Sequence, residues 1–230
     1  MRLDARIPEP ELMEDPDQAR AYSEADFAAP HQAVVDDLLR RQPTLTSRLV
    51  RAIDLGCGPA DVTCRLALAL PEAEIVGVDG GPRMLALGQE RIERLGLADR
   101  VRLQQLYLPA SNRARDELGR FELVLSNSLL HHLVDPLVLW ATIRDVAADG
   151  AIVHVVDLRR PDDDDAVDRL VRQYADGEPP VLVDDFRASL RAAYRQDEVR
   201  AQLRECGLAA QLHVEAVGDR HLVVSGAIAR

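Results

Sequence analysis

Apolar positions along the chain fall into two rhythms. Short runs in which most residues are apolar predict strands: "RLVRAIDL" (48–55), "EIVGVDG" (74–80), "RVRLQQLYL" (100–108), "FELVLSN" (121–127) and "AIVHVVDL" (151–158). Between them, "ADVTCRLALAL" (60–70), "PRMLALGQERIERLG" (82–96) and "DPLVLWATIRDVAADG" (135–150) repeat apolar residues at helical spacing. Pro71 stops the first of these, while Pro82 opens the second and Gly96 closes it. Buried strands alternating with amphipathic helices predict an α/β fold, a mostly parallel sheet with helices on both faces.

The rhythm differs at both ends. Residues 1–45 are polar, with helices expected over "DPDQARAYSEADF" (15–27) and "PHQAVVDDLLRRQ" (30–42). After Asp157 the pattern turns helical, with three helices expected in an insertion spanning 158–207. "LAAQLHVEAV" (208–217) and "RHLVVSGAIA" (220–229), joined at Gly218 and Asp219, predict a β-hairpin that closes the sheet. The core is therefore expected at 46–157 and 208–230, with the 1–45 and 158–207 segments as lids over an acceptor pocket. Asp162–Asp165 suit a helix N-terminus, and Trp140, mid-helix among apolar residues, belongs to the core.

Composition narrows the function. The chain has 230 residues, 47% of them hydrophobic, and a formal net charge of −11, which disfavours a nucleic-acid partner. No apolar run reaches membrane-span length, and the N-terminal stretch lacks the apolar core of a signal peptide. Three cysteines (Cys57, Cys64, Cys206) without metal-ligand spacing fit a reducing, cytoplasmic setting. All 28 basic residues are arginine, which excludes Schiff-base lysine chemistry and a P-loop and points to a GC-rich bacterial genome.

The corner "DLGCGPAD" (54–61) carries the chemistry. Gly56 and Gly58 permit a sharp turn at the carboxyl end of the first strand, where open parallel sheets bind ligands. A dinucleotide fingerprint asks for a third glycine where Asp61 stands, and that carboxylate opposes a diphosphate. Asp79, ending the second strand, is placed to accept hydrogen bonds from ribose hydroxyls. A nucleoside without a diphosphate fits this corner, S-adenosylmethionine better than NAD.

"VRAIDLGCGPADVTCRLA", "IVGVDGGPRML", "FELVLSNSLLHHLVDP" and the terminal hairpin resemble class I S-adenosylmethionine-dependent methyltransferases. The resemblance implies a Rossmann-like, seven-stranded core. It also implies that Asp54, Gly56 and Gly58 line the methionine part of the cofactor and that Asp79 binds the ribose. Gly80 and Met84 would lie near ribose and adenine, and Asn127 at the methionine end. The chain departs from the family twice, with Ala60 at a usual glycine and with Leu106 and Tyr107 where an acidic residue often holds the adenine.

On the acceptor side, His131 and His132 follow the fourth strand, where a histidine can act as general base. Neighbours do not share a face of a regular element, so at most one is expected to meet the substrate. A metal site is not expected, because no third ligand stands at a recognisable spacing. Arg159 and Arg160 could clamp an anion or pair with Asp162–Asp165. Tyr22 and Tyr194 are further candidates for the substrate side. Arg187, Arg191 and Arg195, four apart, predict one stripe of a helix, a solvated face more often than an anion pocket. The expectation is a methyltransferase acting on a small-molecule acceptor through O, N, C or S. Methylation of a protein or RNA, or a non-catalytic S-adenosylmethionine-binding regulator, are the alternatives. The oligomeric state is not legible.

Overall fold

The computed structural model describes residues 3, 5–9, 15–47, 50–109 and 117–229. The polar N-terminal segment, part of which lies outside these residues, contributes α1 (Pro16–Glu24) and α2 (Ala28–Arg41). Then β1 (Arg51–Leu55), α3 (Asp61–Ala69), β2 (Glu74–Asp79), α4 (Pro82–Arg94), β3 (Val101–Gln105), β4 (Phe121–Asn127), α5 (Leu137–Val146) and β5 (Ala147–Leu158) follow. The insertion contains α6 (Asp164–Tyr174), α7 (Pro180–Ala192) and α8 (Gln196–Glu205), and β6 (Leu212–Val217) and β7 (His221–Ile228) form the hairpin.

Seven strands make one sheet in the order β3-β2-β1-β4-β5-β7-β6. β7 runs antiparallel to both neighbours, and the remaining strand pairs are parallel. The order reverses beside β1, so the loops leaving β1 and β4 bound the crevice where such sheets bind ligands. Alternation along the strands feeds two cores. Ile53, Val76, Val124 and Val153 pack toward Trp140 and Ile143 of α5 and Leu203 of α8. Ala52, Ile75, Leu123 and Ile152 pack toward Val35 and Leu38 of α2 and Leu66 of α3. Trp140 is fully buried, and its Nε1 donates to Gln202 Oε1 at 2.9 Å, joining α5 to α8. A third, smaller cluster, with Val167 and Leu190, lies under the insertion.

The structure moves several expected boundaries. The third strand stops at Gln105, where its partner β2 also ends at Asp79; the Leu106 amide makes the last ladder bond, to Asp79 O. The helix expected to reach Gly150 ends at Val146, and β5 begins at once. Ala147 pairs with Phe121 before a register shift brings Ile152 opposite Leu123. Asp163 caps α6 by accepting from the Ala166 amide, as the acidic run suggested. Among the described residues, no helix is long and apolar enough to cross a membrane.

His154, 1% exposed on β5, is a polar group committed to this apolar sheet. Its Nε2 has no hydrogen-bond partner, and the nearest carboxylate oxygen, Asp37 Oδ2, stands 3.7 Å away. Burial pushes its pKa down to about 4, against the pull of Asp37. The unfolded chain therefore binds the proton first, and this histidine's contribution to stability, complete above about pH 6.5, is lost as pH falls toward 4. An NMR titration should find the His154 ring neutral at pH 5; a midpoint near 6.5 would contradict its burial.

Candidate functional site

The turn after β1 is built from left-handed residues, Gly56 (φ 72°), Gly58 (φ 51°) and Ala60 (φ 58°). The amides of Gly56 and Cys57 both donate to Val78 O, at 2.8 and 3.0 Å, so the turn is fastened to the end of β2. A Cβ on Gly56 would stand 2.9 Å from Leu129, whereas one on Gly58 would meet nothing within 4 Å. Gly56 is thus required by the neighbouring loop, and Gly58 faces the open space a ligand would use. Ala60, at a usual glycine of the family, carries the strain of a left-handed residue with a Cβ, but its methyl finds room because α4 presents Gly88 to it. A Cβ on Gly88 would lie 3.1 Å from the Ala60 Cβ.

Asp79 holds this corner. Its Oδ2 accepts the Gly58 amide at 2.9 Å and its Oδ1 the Gly81 amide at 2.7 Å. Burial raises its carboxyl above the usual range, and the two amides partly offset that rise. A carboxylate has about four acceptor positions, so two stay open toward hydroxyl donors. Asp54, 1% exposed, accepts from Thr63 Oγ1 at 2.6 Å. Burial pushes its carboxyl up to about 7, with the charge of Asp79 adding to the effect.

Asp61, the first residue of α3, is met by His31 Nδ1 and Arg65 Nε at 2.8 Å and by Arg91 at 3.1 Å. Burial opposes its charge, but the hydrogen bonds from His31 and Arg65 hold its carboxyl far below the usual range. Its charge is therefore largely neutralised, and the repulsion of a diphosphate expected from sequence is weaker than it looked.

Leu106 packs against the core, while Gly80 and Tyr107 are joined by Gln105, a residue the motif did not suggest. Its Nε2 donates to Gly80 O at 3.0 Å and to Tyr107 Oη at 3.2 Å. Met84 is buried on α4, and Tyr107 is 53% exposed. Asn127 ends β4, followed by Ser128 in the left-handed region (φ 56°), a strained position for a residue with a Cβ.

Beyond it a 3-10 turn over Leu130–His132 carries both histidines. Asp157, at the end of β5, accepts the amides of Leu130 at 2.8 Å and Leu158 at 2.7 Å, and lies 2.6 Å from His131 Nδ1. A carboxylate already receiving two amides leaves His131 Nδ1 to donate, so the Nε2 of the neutral ring carries the lone pair. His131 is 3% exposed; burial opposes its charge, but Asp157 and Glu9 outweigh this and raise its pKa. His132 is half-buried, its ring centroid 4.2 Å from that of His131.

Although adjacent in sequence, the two histidines reach one and the same side chain. Glu9 Oε1 lies 3.4 Å from both His131 Nε2 and His132 Nδ1. The short 3-10 turn stacks the two rings, and the far atom of one and the near atom of the other converge on a single point. The segment that brings Glu9 is anchored by Arg6, which donates to the carbonyls of His131 and Ala192 and stacks on the Tyr194 ring, 4.4 Å from its centroid. Sequence spacing gave no sign of Glu9 or Arg6. Tyr22 is half-buried on α1, 4.9 Å from Phe27. Burial, together with Asp61, Asp79 and Asp157, pushes its hydroxyl up to about 12.

The arginines of the insertion serve structure. Arg160, 2% exposed, donates to Ala193 O at 2.9 Å and to Glu198 Oε1 at 2.6 Å. Arg159 donates to Asp219 O at 3.1 Å. These donors fasten α8 and the hairpin instead of forming the expected anion clamp or pairing with Asp162–Asp165. Tyr194 Oη donates to Leu133 O at 2.9 Å and is buried. The arginine stripe is also broken. α7 ends at Ala192; Arg187 pairs with Asp168 and Arg191 with Asp164 on α6, while Arg195 caps α8.

Residues 53–153 match the family model for a methyltransferase domain. The chain is 34% identical over 119 residues to a trans-aconitate 2-methyltransferase of Methylobacterium radiotolerans, covering 52% of this chain and 41% of that protein. It thus spans less than half the length of that curated relative. A solved S-adenosylmethionine-dependent methyltransferase from Aquifex aeolicus superposes with a TM-score of 0.67 at 17% identity, covering 94% of this chain and all of that one. The plantazolicin methyltransferase BpumL, solved with a desmethylPZN analogue and SAH, gives a TM-score of 0.69 at 11% identity over 93% and 90% of the two chains.

The environment of Asp54 is open to direct measurement. Carbon-detected NMR of the ligand-free protein should find its carboxyl titrating near pH 7, and a midpoint near 4 would mean that the side chain is solvated.

Proposed function

We propose that the chain is a class I S-adenosylmethionine-dependent methyltransferase that transfers a methyl group from S-adenosylmethionine to a small-molecule acceptor. The observation that carries this reading is the pair of buried carboxylates at the exits of β1 and β2. Asp79 keeps acceptor capacity for two ribose hydroxyls after binding Gly58 and Gly81. Asp54 is a buried carboxyl with one side-chain partner, a group that a cationic guest would stabilise in its charged form. The open space beside Gly58 gives such a guest access to the main chain. These residues fit the cofactor.

When bound, the cofactor supplies a methyl group already activated by its sulfonium. The chain's own task is then to align the acceptor and exclude water. Asp54, Gly56 and Gly58 would hold the amino-acid end, Asp79 and Gly80 the ribose, and Met84, Leu106 and Tyr107 the adenine. Asn127 and the strained Ser128 lead from this cleft to the histidine turn, where His131 and His132 meet the acceptor. Asp157 fixes the His131 tautomer and orientation, a positioning role.

Two features favour a small acceptor over a polymer. The segment carrying Arg6 and Glu9 lies across the histidine turn, and the net charge of −11 offers no general attraction to RNA. The relative named as a trans-aconitate methyltransferase supports an organic acid as the first acceptor class to screen. The N-terminal segment and the 158–207 insertion act as lids on this reading. A cytoplasmic location fits the free, largely buried cysteines.

Calorimetry with S-adenosylmethionine tests the cofactor half. Asp79→Ala removes two charge-assisted hydrogen bonds worth ~1.5–3 kcal/mol each and should weaken binding at least tenfold; unchanged affinity would reject the ribose role. If Asp54 receives the cationic end, affinity should tighten as pH rises through about 7, because the guest favours the deprotonated carboxyl. Asp54→Asn should flatten that dependence, and an equally steep profile in the variant would assign it elsewhere.

A further inference from the structure

We propose that Glu9, His131 and His132 form a divalent-cation site at the acceptor end of the crevice, ligating through Glu9 Oε1, His131 Nε2 and His132 Nδ1. These three atoms lie within 4.8 Å of one another. Glu9 Oε1 is 3.4 Å from each ring nitrogen. Donors bound about 2.0–2.2 Å from one ion stand roughly 3–3.5 Å apart when adjacent, so both measured edges have the length a shared ion would impose.

Hydrogen bonding does not account for the arrangement. The Glu9 side chain is only 9% exposed, yet its Oε1 has no hydrogen-bond partner. A buried carboxylate oxygen left in this state is costly. Because His131 Nδ1 is taken up by Asp157, its Nε2 is the atom that meets that oxygen. A proton on Nε2 would serve the His131–Glu9 pair alone, with His132 Nδ1 still 3.4 Å from the same oxygen. A metal ion satisfies Glu9, His131 and His132 together, whereas a proton serves one pair at a time.

The surroundings are those of ligands held in place. His131 is oriented by the 2.6 Å contact to Asp157, the carboxylate–histidine arrangement that supports metal-bound imidazoles. The second oxygen of Glu9 accepts from Ser189 Oγ on α7 at 3.2 Å. Arg6, the nearby cation, spends its donors on the carbonyls of His131 and Ala192. Two imidazoles and one carboxylate favour a first-row transition ion such as Zn²⁺, Mn²⁺, Fe²⁺ or Co²⁺ over Mg²⁺ or Ca²⁺. Three protein ligands leave a coordination position free, where an acceptor oxygen could be oriented and polarised. That last role rests on the proposed methyl transfer; binding of the ion does not.

Sequence spacing concealed this site, because the two histidines are adjacent and the carboxylate comes from the far N-terminal segment. The probes are Zn²⁺ by calorimetry and Co²⁺ by its visible ligand-field absorption, on full-length protein stripped with a chelator and without S-adenosylmethionine. One equivalent of Zn²⁺ should bind, and Co²⁺ should give a spectrum that Zn²⁺ abolishes. Glu9→Gln and His132→Ala should each weaken Zn²⁺ at least tenfold, while His213→Ala, at an exposed histidine on β6, should leave it unchanged. Absence of stoichiometric binding to the wild type, or equal affinity in Glu9→Gln and His132→Ala, would overturn the site. S-adenosylmethionine affinity, measured on the same samples, separates the two ideas. Cofactor binding without Zn²⁺ binding defeats the metal site alone, and Zn²⁺ binding without cofactor binding defeats the methyltransferase reading alone.

Discussion

The carboxylate of Asp79 accepts two main-chain amides, from Gly58 on one side and Gly81 on the other, and the ligand crevice depends on that double contact. One side chain joins the loop leaving β1 to the start of α4, so the floor of the crevice is set by a group buried among strand ends. The loop has little freedom left. Gly56 and Cys57 are tied to Val78 O, Gly56 admits no side chain against Leu129, and Ala60 is seated opposite Gly88. A preformed cradle of this kind lowers the ordering cost of binding, because the backbone donors are fixed before a ligand arrives. It also explains why a short sequence motif carries so much information: each residue in "DLGCGPAD" answers a local steric or hydrogen-bonding demand.

That locality separates what the sequence reveals from what it hides. The seven strands were legible because each central strand is buried on both faces and reads as an apolar run, and the hairpin because Gly218 offers a left-handed turn (φ 61°) between two such runs. The corner beside β1 and β2 was legible because its partners are close in sequence to two neighbouring strand ends: Asp54 with Thr63 in α3, and Asp79 with Gly81 before α4. Boundaries failed where strand pairing overrode periodicity, as when β3 stopped with its partner β2 and when β5 began at Ala147, inside the helix expected to reach Gly150. Side-chain roles failed where the partner came from elsewhere in the chain. Arg160 looked like a ligand clamp at a strand end, but Glu198 on α8 takes its guanidinium. His131 and His132 looked like rivals for one face until a turn too short to be a regular helix brought both to Glu9.

The insertion and the N-terminal segment are fastened to each other as well as to the sheet. Gln18 on α1 donates to Asp185 on α7 at 2.8 Å, Ser189 on α7 reaches Glu9, and Arg195 donates to Leu3 O at 2.9 Å. Arg6 adds a link from the same segment to the end of α7 and to the histidine turn. The insertion and the N-terminal segment therefore pack as one layer. Its underside presents Glu9 to the histidines and Tyr22 to the field of Asp61, Asp79 and Asp157. The same N-terminal segment reaches the other corner as well, where His31 on α2 meets Asp61 at the start of α3.

Carboxylates line this crevice from end to end, and their protonation divides it. Asp61 is paid in full by His31, Arg65 and Arg91 and presents little net charge. Asp54 and Asp79 have no such cations; burial raises both, and their mutual repulsion contributes at Asp54. At the other end, Asp157 and Glu9 flank His131 in a space where main-chain carbonyls take up Arg6. Negative charge without matching side-chain cations is costly in a buried place, and the cost falls when a positive group enters. The two ends differ in the cation they suit. Asp54 and Asp79 lie near the open space at Gly58, the setting for an organic cation with hydroxyls. Glu9, with two imidazole nitrogens at equal distance, has the size and donor set for a metal ion.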